Sequence, residues 1–335
     1  MTDRPAVIDV AALRKVYPGG TIALDGIDFS IRAGEFFGFL GPNGAGKTTT
    51  IRILATLLTA TSGRAVVAGL DVARDPAEVR RRVGFAMQSV AVDNLSTGRE
   101  NLEIIGRLHR VPRRDLDRRI DQLLELMALS DVGGKLAGTY SGGMKRRLDL
   151  ATALVHRPEV LFLDEPTEGL DPQSRTTLWE ELERINKAGT TMFLTTHYME
   201  EADRLCERLA IIDHGKIVAE GSPTTLKRSI GGDTVVLQFG GLEGEDLTRA
   251  QDEVALAVEP DDAVRQVERT SSGVALSVVD AQAAIPGLMR LLDGRGLRVT
   301  GLSMAEPTLD DVFLRYTGSR IRAEEADQPL DLGWY

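Results

Sequence analysis

A single cysteine, Cys206, among 335 residues leaves no partner for a disulfide within the chain and no material for a cysteine-rich metal site. That usage points to a reducing, cytosolic setting. The four histidines, His109, His156, His197 and His214, are scattered, and no two have metal-ligand spacing. Long apolar runs are missing as well: none approaches the roughly eighteen residues of a membrane-spanning helix. The first residues, Met-Thr-Asp-Arg-Pro, have no apolar stretch, so no signal peptide is expected and any membrane role has to run through a partner. Excess positive charge is lacking too. The formal net charge is −10, whereas a protein whose main partner is bare nucleic acid usually carries a basic stripe. Basic clusters at 80–82, 113–119 and 145–147 stand in helix-like stretches with interleaved acids or apolars, and read as solvated helix faces or internal ion pairs. Internal repeats and low-complexity tracts are absent.

What remains is an ordinary globular composition, 42% hydrophobic and 27% charged, on a chain long enough for two domains. Residues 6–17 and 22–32 alternate apolar and polar around Gly19-Gly20 and predict a strand pair. An apolar run at 35–40 predicts a strand, followed by a glycine-rich turn and a helix over 48–58. Short strands are expected at 64–68 and 83–87, helices over 97–130, and a further helix from the Ser-Gly-Gly break at 141–143 to about 156. Strand and helix then alternate: 160–163, 172–188, 191–195, 198–206, 209–213 and 216–219. The texture changes near Ile230-Gly231-Gly232. Beyond it the pattern predicts strands at 234–239, 274–279 and 297–302, helices at 281–292 and 309–316, and a Gly-, Asp- and Glu-rich linker around 240–262. This organises the chain as an α/β domain over 1–230 with a helical insert near 93–157, a small α+β domain over 231–319, and a flexible acidic tail over 320–335.

Three motifs carry chemistry. Gly41-Pro42-Asn43-Gly44-Ala45-Gly46-Lys47-Thr48 fits the phosphate-binding loop pattern, between a strand and a helix as that pattern requires. Its glycines let backbone N–H groups converge on phosphate oxygens, and the helix N-terminus adds its positive end. Lys47 places a charge on the β- and γ-phosphates of ATP, and the Thr48 hydroxyl, with Thr49 beside it, faces the nucleotide and its Mg²⁺. The run Val160 to Leu163 then delivers Asp164 and Glu165 at a strand end. Asp164 would help hold Mg²⁺ and Glu165 would polarise the attacking water. A carboxylate pair in front of a helix can also serve as a cap, but a phosphate-binding loop upstream favours the catalytic reading.

The third motif, Tyr140-Ser141-Gly142-Gly143-Met144, lies shortly before Asp164. With it, the chain from about Val7 to Ser229 resembles the ABC ATPase family, whose motifs it carries in order. The resemblance implies an ABC-type P-loop ATPase fold with a β-rich N-terminal subdomain and a helical subdomain insert. It also implies a homodimer in which Ser141, Gly142 and Gly143 of one chain close over ATP held by the other. Tyr17 is similar to the aromatic that stacks on adenine. Gln88, after Phe85-Ala86-Met87, resembles the glutamine that reaches Mg²⁺ or the lytic water. Asp171 in Gly169-Leu170-Asp171 resembles the residue that contacts the partner protomer, and His197 the switch histidine on the γ-phosphate. Tyr140 and Met144 replace the family's usual Leu and Gln, and Glu168 stands where a small or uncharged residue is common, which alters charge at the dimer seam.

The segments Ser96-Thr97-Gly98-Arg99-Glu100-Asn101-Leu102, 196–203 and 307–314 resemble the daunorubicin-resistance branch of multidrug exporters. That resemblance implies a single ATPase chain, peripheral on the cytoplasmic face of the membrane, which couples ATP-driven dimer closure to export by separate ABC-2-type permease subunits. The alternative is a soluble ABC ATPase acting on ribosomes or DNA. A single set of motifs without a long coiled coil argues against it, and no direct nucleic-acid contact is expected.

Overall fold

The computed structural model describes residues 5–258 and 264–318; the tail expected at 320–335 lies outside the described residues. The antiparallel pair β1 (Ala6–Val16) and β2 (Ile22–Arg32) is followed by β3 (Phe36–Leu40) and α1 (Lys47–Leu54). After β4 (Ser62–Val67), β5 (Leu70–Asp71) and α2 (Pro76–Arg82), β6 (Val83–Ala86) leads to the helical insert. The insert comprises α3 (Gly98–Leu108), α4 (Arg113–Leu126) and α5 (Gly142–Leu154). Then β7 (Val160–Asp164), α6 (Pro172–Lys187), β8 (Thr191–Thr196), α7 (Met199–Leu205), β9 (Arg208–Asp213) and β10 (Lys216–Gly221) complete a first compact unit, which reaches Pro223.

Two sheets organise this unit. One is the antiparallel β2-β1-β4-β5; the other runs β10-β9-β3-β8-β7-β6, parallel except for the edge strand β10. Every residue of β3, β7 and β8 is buried, as near-continuous apolar runs covered on both faces should be. Phe29 of β2 packs with Phe37 and Phe39 of β3 and Phe193 of β8, Phe39 meeting Phe193 edge-on at 5.2 Å. Each such ring contributes about 2–3 kcal/mol of burial. At the insert, Thr97 and Glu100 form a capping box that starts α3. The helix α2 has no counterpart in the sequence-based reading, because only Val79 among its residues is buried and no apolar face announces it.

The second unit begins at Thr224, ahead of the boundary expected at residue 230, because α8 (Pro223–Ile230) groups with it. It continues with β11 (Asp233–Gln238), α9 (Gly244–Val258), β12 (Val264–Arg269), β13 (Gly273–Val278), α10 (Ala281–Asp293), β14 (Gly301–Ala305) and α11 (Leu309–Thr317). The antiparallel order β12-β13-β11-β14 with α9 and α10 is the split β-α-β-β-α-β arrangement. Two expectations need correction. The linker expected around 240–262 is largely a helix, since α9 occupies 244–258, residues 259–262 lying outside the described residues. The Gly, Asp and Glu residues of α9 hide a stripe of Leu247, Ala250, Val254, Ala257 and Val258 that packs into the core. The last strand does not start at Leu297. The Leu297 N–H donates to the Leu292 carbonyl at 3.0 Å and closes α10, and pairing with β11 runs from Gly301.

Candidate functional site

The order β3-β8-β7 decides which loops meet. All three strands are parallel, so the loops leaving their C-terminal ends open on the same edge. From β3 comes Gly41, from β7 Asp164 and Glu165, and from β8 Thr195, Thr196 and His197.

The first loop is shaped by glycine where nothing else fits. A Cβ on Gly41 would stand 2.3 Å from the Ile212 carbonyl oxygen. Gly46 has φ +110° and a Cβ there would lie 2.6 Å from the Ala23 carbonyl oxygen. Immediately after it α1 begins at Lys47, so its first free N–H groups face the loop. Lys47 is buried, and its Nζ donates to the carbonyls of Gly41 at 2.7 Å and Pro42 at 3.1 Å.

Across the hollow, Lys47 Nζ lies 3.1 Å from Glu165 Oε1 and His197 Nδ1 3.4 Å from the same oxygen. Burial alone would raise the Glu165 carboxyl, but His197 and Lys47 outweigh it and hold the group down to about 2, so it is ionised. Its backbone is unusual for a glutamate, with φ +47°. Asp164, 2% exposed, accepts from Thr48 Oγ1 at 3.1 Å and Thr195 Oγ1 at 2.6 Å. These are hard oxygen donors on a hydroxyl and an adjoining carboxylate, a set that suits Mg²⁺.

The hollow measures about 230 Å³ and is lined by the loop from Pro42 to Thr49, with Gln88 and Glu165. Gln88 Nε2 donates to Glu168 Oε2 at 2.5 Å, so the glutamate noted as a departure from the family pattern is a partner of the expected glutamine. The Tyr17 hydroxyl lies 3.3 Å from Thr49 Oγ1, which fixes the tyrosine at the mouth of α1. A larger hollow of about 830 Å³ lies elsewhere in this unit, beside Arg64, Arg74 and Arg80. It holds none of the motif residues, and chemistry rather than volume identifies the smaller one.

Two expected groups stand apart from this hollow. Ser141 caps α5 by accepting from the Met144 N–H at 3.3 Å, and neither it nor Gly142 or Gly143 lines the hollow beside Lys47. Asp171 caps α6, accepting from the Ser174 N–H at 2.9 Å and its hydroxyl at 2.6 Å. Those contacts hold its carboxyl below the ordinary range.

Sequence reasoning missed three participants. Thr195, on a buried strand, bonds Asp164 and also accepts from the Glu165 N–H at 3.3 Å. Glu201 is fully buried, accepts from Trp179 Nε1 at 3.1 Å, and is pushed up by that burial. Its signal was position, four residues after His197. Arg146, read only as one of a basic cluster, is buried among backbone carbonyls.

Comparison with known proteins places these residues in context. The family described as ABC transporter matches residues 24–168, and the ATP-binding protein DrrA1-3-like C-terminal domain matches residues 221–317. The chain is 46% identical to the daunorubicin resistance ATP-binding protein DrrA2 of Streptomyces coeruleorubidus, over 95% of this chain and 97% of that one. It is 42% identical to the daunorubicin/doxorubicin resistance ATP-binding protein DrrA of Streptomyces peucetius, over 95% of this chain and 94% of that one. Among solved structures, the dimeric post-hydrolysis state of the ATP-binding cassette MJ0796 bound to ADP and Pi is similar with a TM-score of 0.59 and 26% identity. That likeness covers 64% of this chain and 98% of that one.

Proposed function

The chain belongs to the ABC transporter family of ATP-binding subunits, and on that premise we propose that it is the motor of a drug or antibiotic exporter. It works as a homodimer with ATP sandwiched between protomers, on the cytoplasmic face of the membrane, against a separate integral-membrane permease. ATP hydrolysis is general to the family; its coupling to translocation in this chain is the proposal. No helix among the described residues is long and apolar enough to cross a membrane, which fits a permease supplied by another chain.

In this reading the loop N–H groups from Gly41 to Thr49 and the Lys47 ammonium bind the phosphates, and Tyr17 stacks on adenine. Thr48 and Asp164, with Gln88 on the same hollow, would hold Mg²⁺, which when bound neutralises charge on the β- and γ-phosphates. Glu165 accepts a proton from water as the water oxygen bonds the γ-phosphorus and the bond to the bridging oxygen breaks, leaving ADP. His197 donates to the γ-phosphate. Ser141, Gly142, Gly143 and Asp171 act on the nucleotide of the other protomer. ATP therefore binds the closed dimer better than the open one, and that difference moves the permease.

The observation that carries this reading is one hollow lined by Lys47, Thr48 and Glu165, with Asp164 bonded to Thr48 and His197 beside Glu165, which the Ser141 loop does not line. A tagged Glu165→Gln variant, expressed in the native host with ATP and Mg²⁺ and gently solubilised, tests it. The variant should hydrolyse little, accumulate as a dimer and bring down a polytopic membrane protein without its own phosphate-binding loop, while Lys47→Ala brings down far less. Ribosomal or DNA-bound proteins with no membrane partner would overturn the exporter reading. Wild-type turnover in Glu165→Gln would overturn the role of that carboxylate.

A further inference from the structure

A guanidinium has five N–H donors in a fixed plane, and at Arg146 all five are spent on backbone carbonyls. Nε donates to Pro166 at 2.7 Å, one terminal nitrogen to Asp164 and Glu165 at 3.3 Å each, and the other to Met87 and to Gln88 at 3.4 Å. Arg146 is 5% exposed. Its counter-ion is Asp149, one turn along α5 at 3.6 Å and equally buried, whose other oxygen accepts from the Ala91 N–H at 3.1 Å. Replacing a buried ion pair with apolar side chains is often neutral or stabilising, so stability alone is a weak account of this one.

The carbonyls belong to two loops that the proposed chemistry uses. One carries Gln88; the other carries Asp164 and Glu165. Arg146 itself sits in the second turn of the helix that opens at Ser141. Glu165 has φ +47°, and such a conformation persists only where its surroundings over-determine it. Here Thr195 holds the Glu165 N–H, and Arg146 holds the carbonyls of residues 164, 165 and 166 in succession.

We propose that Arg146, tethered by Asp149, is a positioning residue that sets the Glu165 backbone and the Gln88 loop in one register with the helix that opens at Ser141. Through it, a shift of that helix on dimer closure is felt at the water-polarising carboxylate. The proposal rests on the reading of Glu165 given above.

The test uses the full chain and the variants Arg146→Gln, Arg146→Lys and the milder Asp149→Asn. Hydrogen exchange without nucleotide should quicken at residues 87–91 and 164–168 in Arg146→Gln. Its kcat should fall by tenfold to on the order of a hundredfold, the scale of a small misplacement of a reacting group, with little change in KM for ATP. Lysine keeps the charge but has only three donors, so Arg146→Lys should recover part of the rate. Adding Arg146→Gln to Glu165→Gln should slow hydrolysis no further, because both changes act through one group.

Unchanged exchange in those segments would overturn the hold of Arg146 on the two loops. Unchanged kcat with faster exchange, or rate losses that multiply in the double variant, would overturn the positioning role. Should Glu165→Gln alone hydrolyse like wild type, the error lies in the Glu165 reading, and the exchange result still judges the hold of Arg146 on the two loops.

Discussion

In the first unit β3, β8 and β7 run side by side and parallel, so three strand ends open on one edge; in the second, β12-β13-β11-β14 alternate in direction and neighbouring ends face opposite edges. The polar interior follows the same division. Lys47, Arg146, Asp149, Asp164, Glu165, Glu181 and Glu201 are all buried in the first unit, whereas among the described residues of the second the only buried polar or charged side chain is Gln251. Gln251 donates to the Thr270 and Gly273 carbonyls at 2.8 Å, which staples α9 to the β12–β13 turn. Burying charge is expensive unless it is paired, and the first unit accepts that expense at the parallel strand ends, with Lys47, Asp164 and Glu165, and on the helices α5, α6 and α7 as well. The described core of the second unit is apolar packing around that one amide.

The comparison is broken most directly by one substitution made in both cores. Phe193 and Phe239 are both almost wholly buried, and Phe→Ala in a core costs about 3–5 kcal/mol. Phe193→Ala should lower the melting of the first unit and also weaken ATP binding, because Phe193 packs on Phe37, Phe39 and Phe162 of the strands that carry the site loops. Phe239→Ala should lower the melting of the second unit and leave KM for ATP unchanged. Calorimetry with steady-state kinetics on the two variants checks this, and a raised KM in Phe239→Ala would show that the division of labour is wrong.

The same contrast governs what was legible in the sequence. Strands β3, β7 and β8 announce themselves as apolar runs, and the phosphate-binding loop and the Asp164-Glu165 pair sit at their ends because buried parallel strands leave only their ends for chemistry. Among the elements missed or misread, which also include α8 and the two-residue β5, α2, α9, β12 and the start of β14 have surfaces that alternate poorly or whose apolar stripe is diluted by Gly, Asp and Glu. Arg146 and Thr195 were invisible for a different reason. Each acts by bonding backbone or a neighbouring side chain far along the chain, and a side chain's long-range partner leaves no local pattern. The pairing of Gln88 with Glu168 is of the same kind, joining residues from β6–α3 and β7–α6 connections.

Acid should sharpen the contrast next, through a histidine pair confined to the first unit. His109, at the end of α3, and His156, just beyond α5, stack with ring centroids 3.8 Å apart. His156 Nε2 lies 2.9 Å from the Val83 carbonyl, so that nitrogen carries the hydrogen, and the buried Nδ1 has no partner. Burial first, and the neighbouring His109 second, lower His156 from 6.5 to about 4. The unfolded chain therefore binds the proton more readily in that window, and stability falls as pH drops from 6.5 towards 4. His156→Gln, which keeps a donor for Val83, should lose less stability across that range, by about 2 kcal/mol after allowance for solvent screening. Denaturant melts at pH 7 and pH 4.5 check it; parallel losses in variant and wild type would refute the assignment.

The smallest effect has the opposite sign. Glu181 on α6 is 1% exposed; one oxygen lies 3.7 Å from Arg147 and the other has no hydrogen-bond partner. Burial, only partly offset by Arg147 and Arg184, raises its carboxyl from 4.5 to about 7. An acid raised in the folded state binds its proton more tightly there, so the stability it contributes is complete below pH 4.5 and is lost as pH rises through 7. In the wild type this loss overlaps and masks part of the gain from His156, which is why the variants have to be measured separately. Glu181→Gln removes the charge that burial disfavours while keeping polar contact with Arg147. It should match wild type near pH 4.5 and exceed it at pH 8 by about 1–2 kcal/mol. A variant less stable than wild type at pH 8 would mean that the Arg147 pair outweighs its desolvation, and that the first unit's buried charges add stability beyond what its chemistry requires.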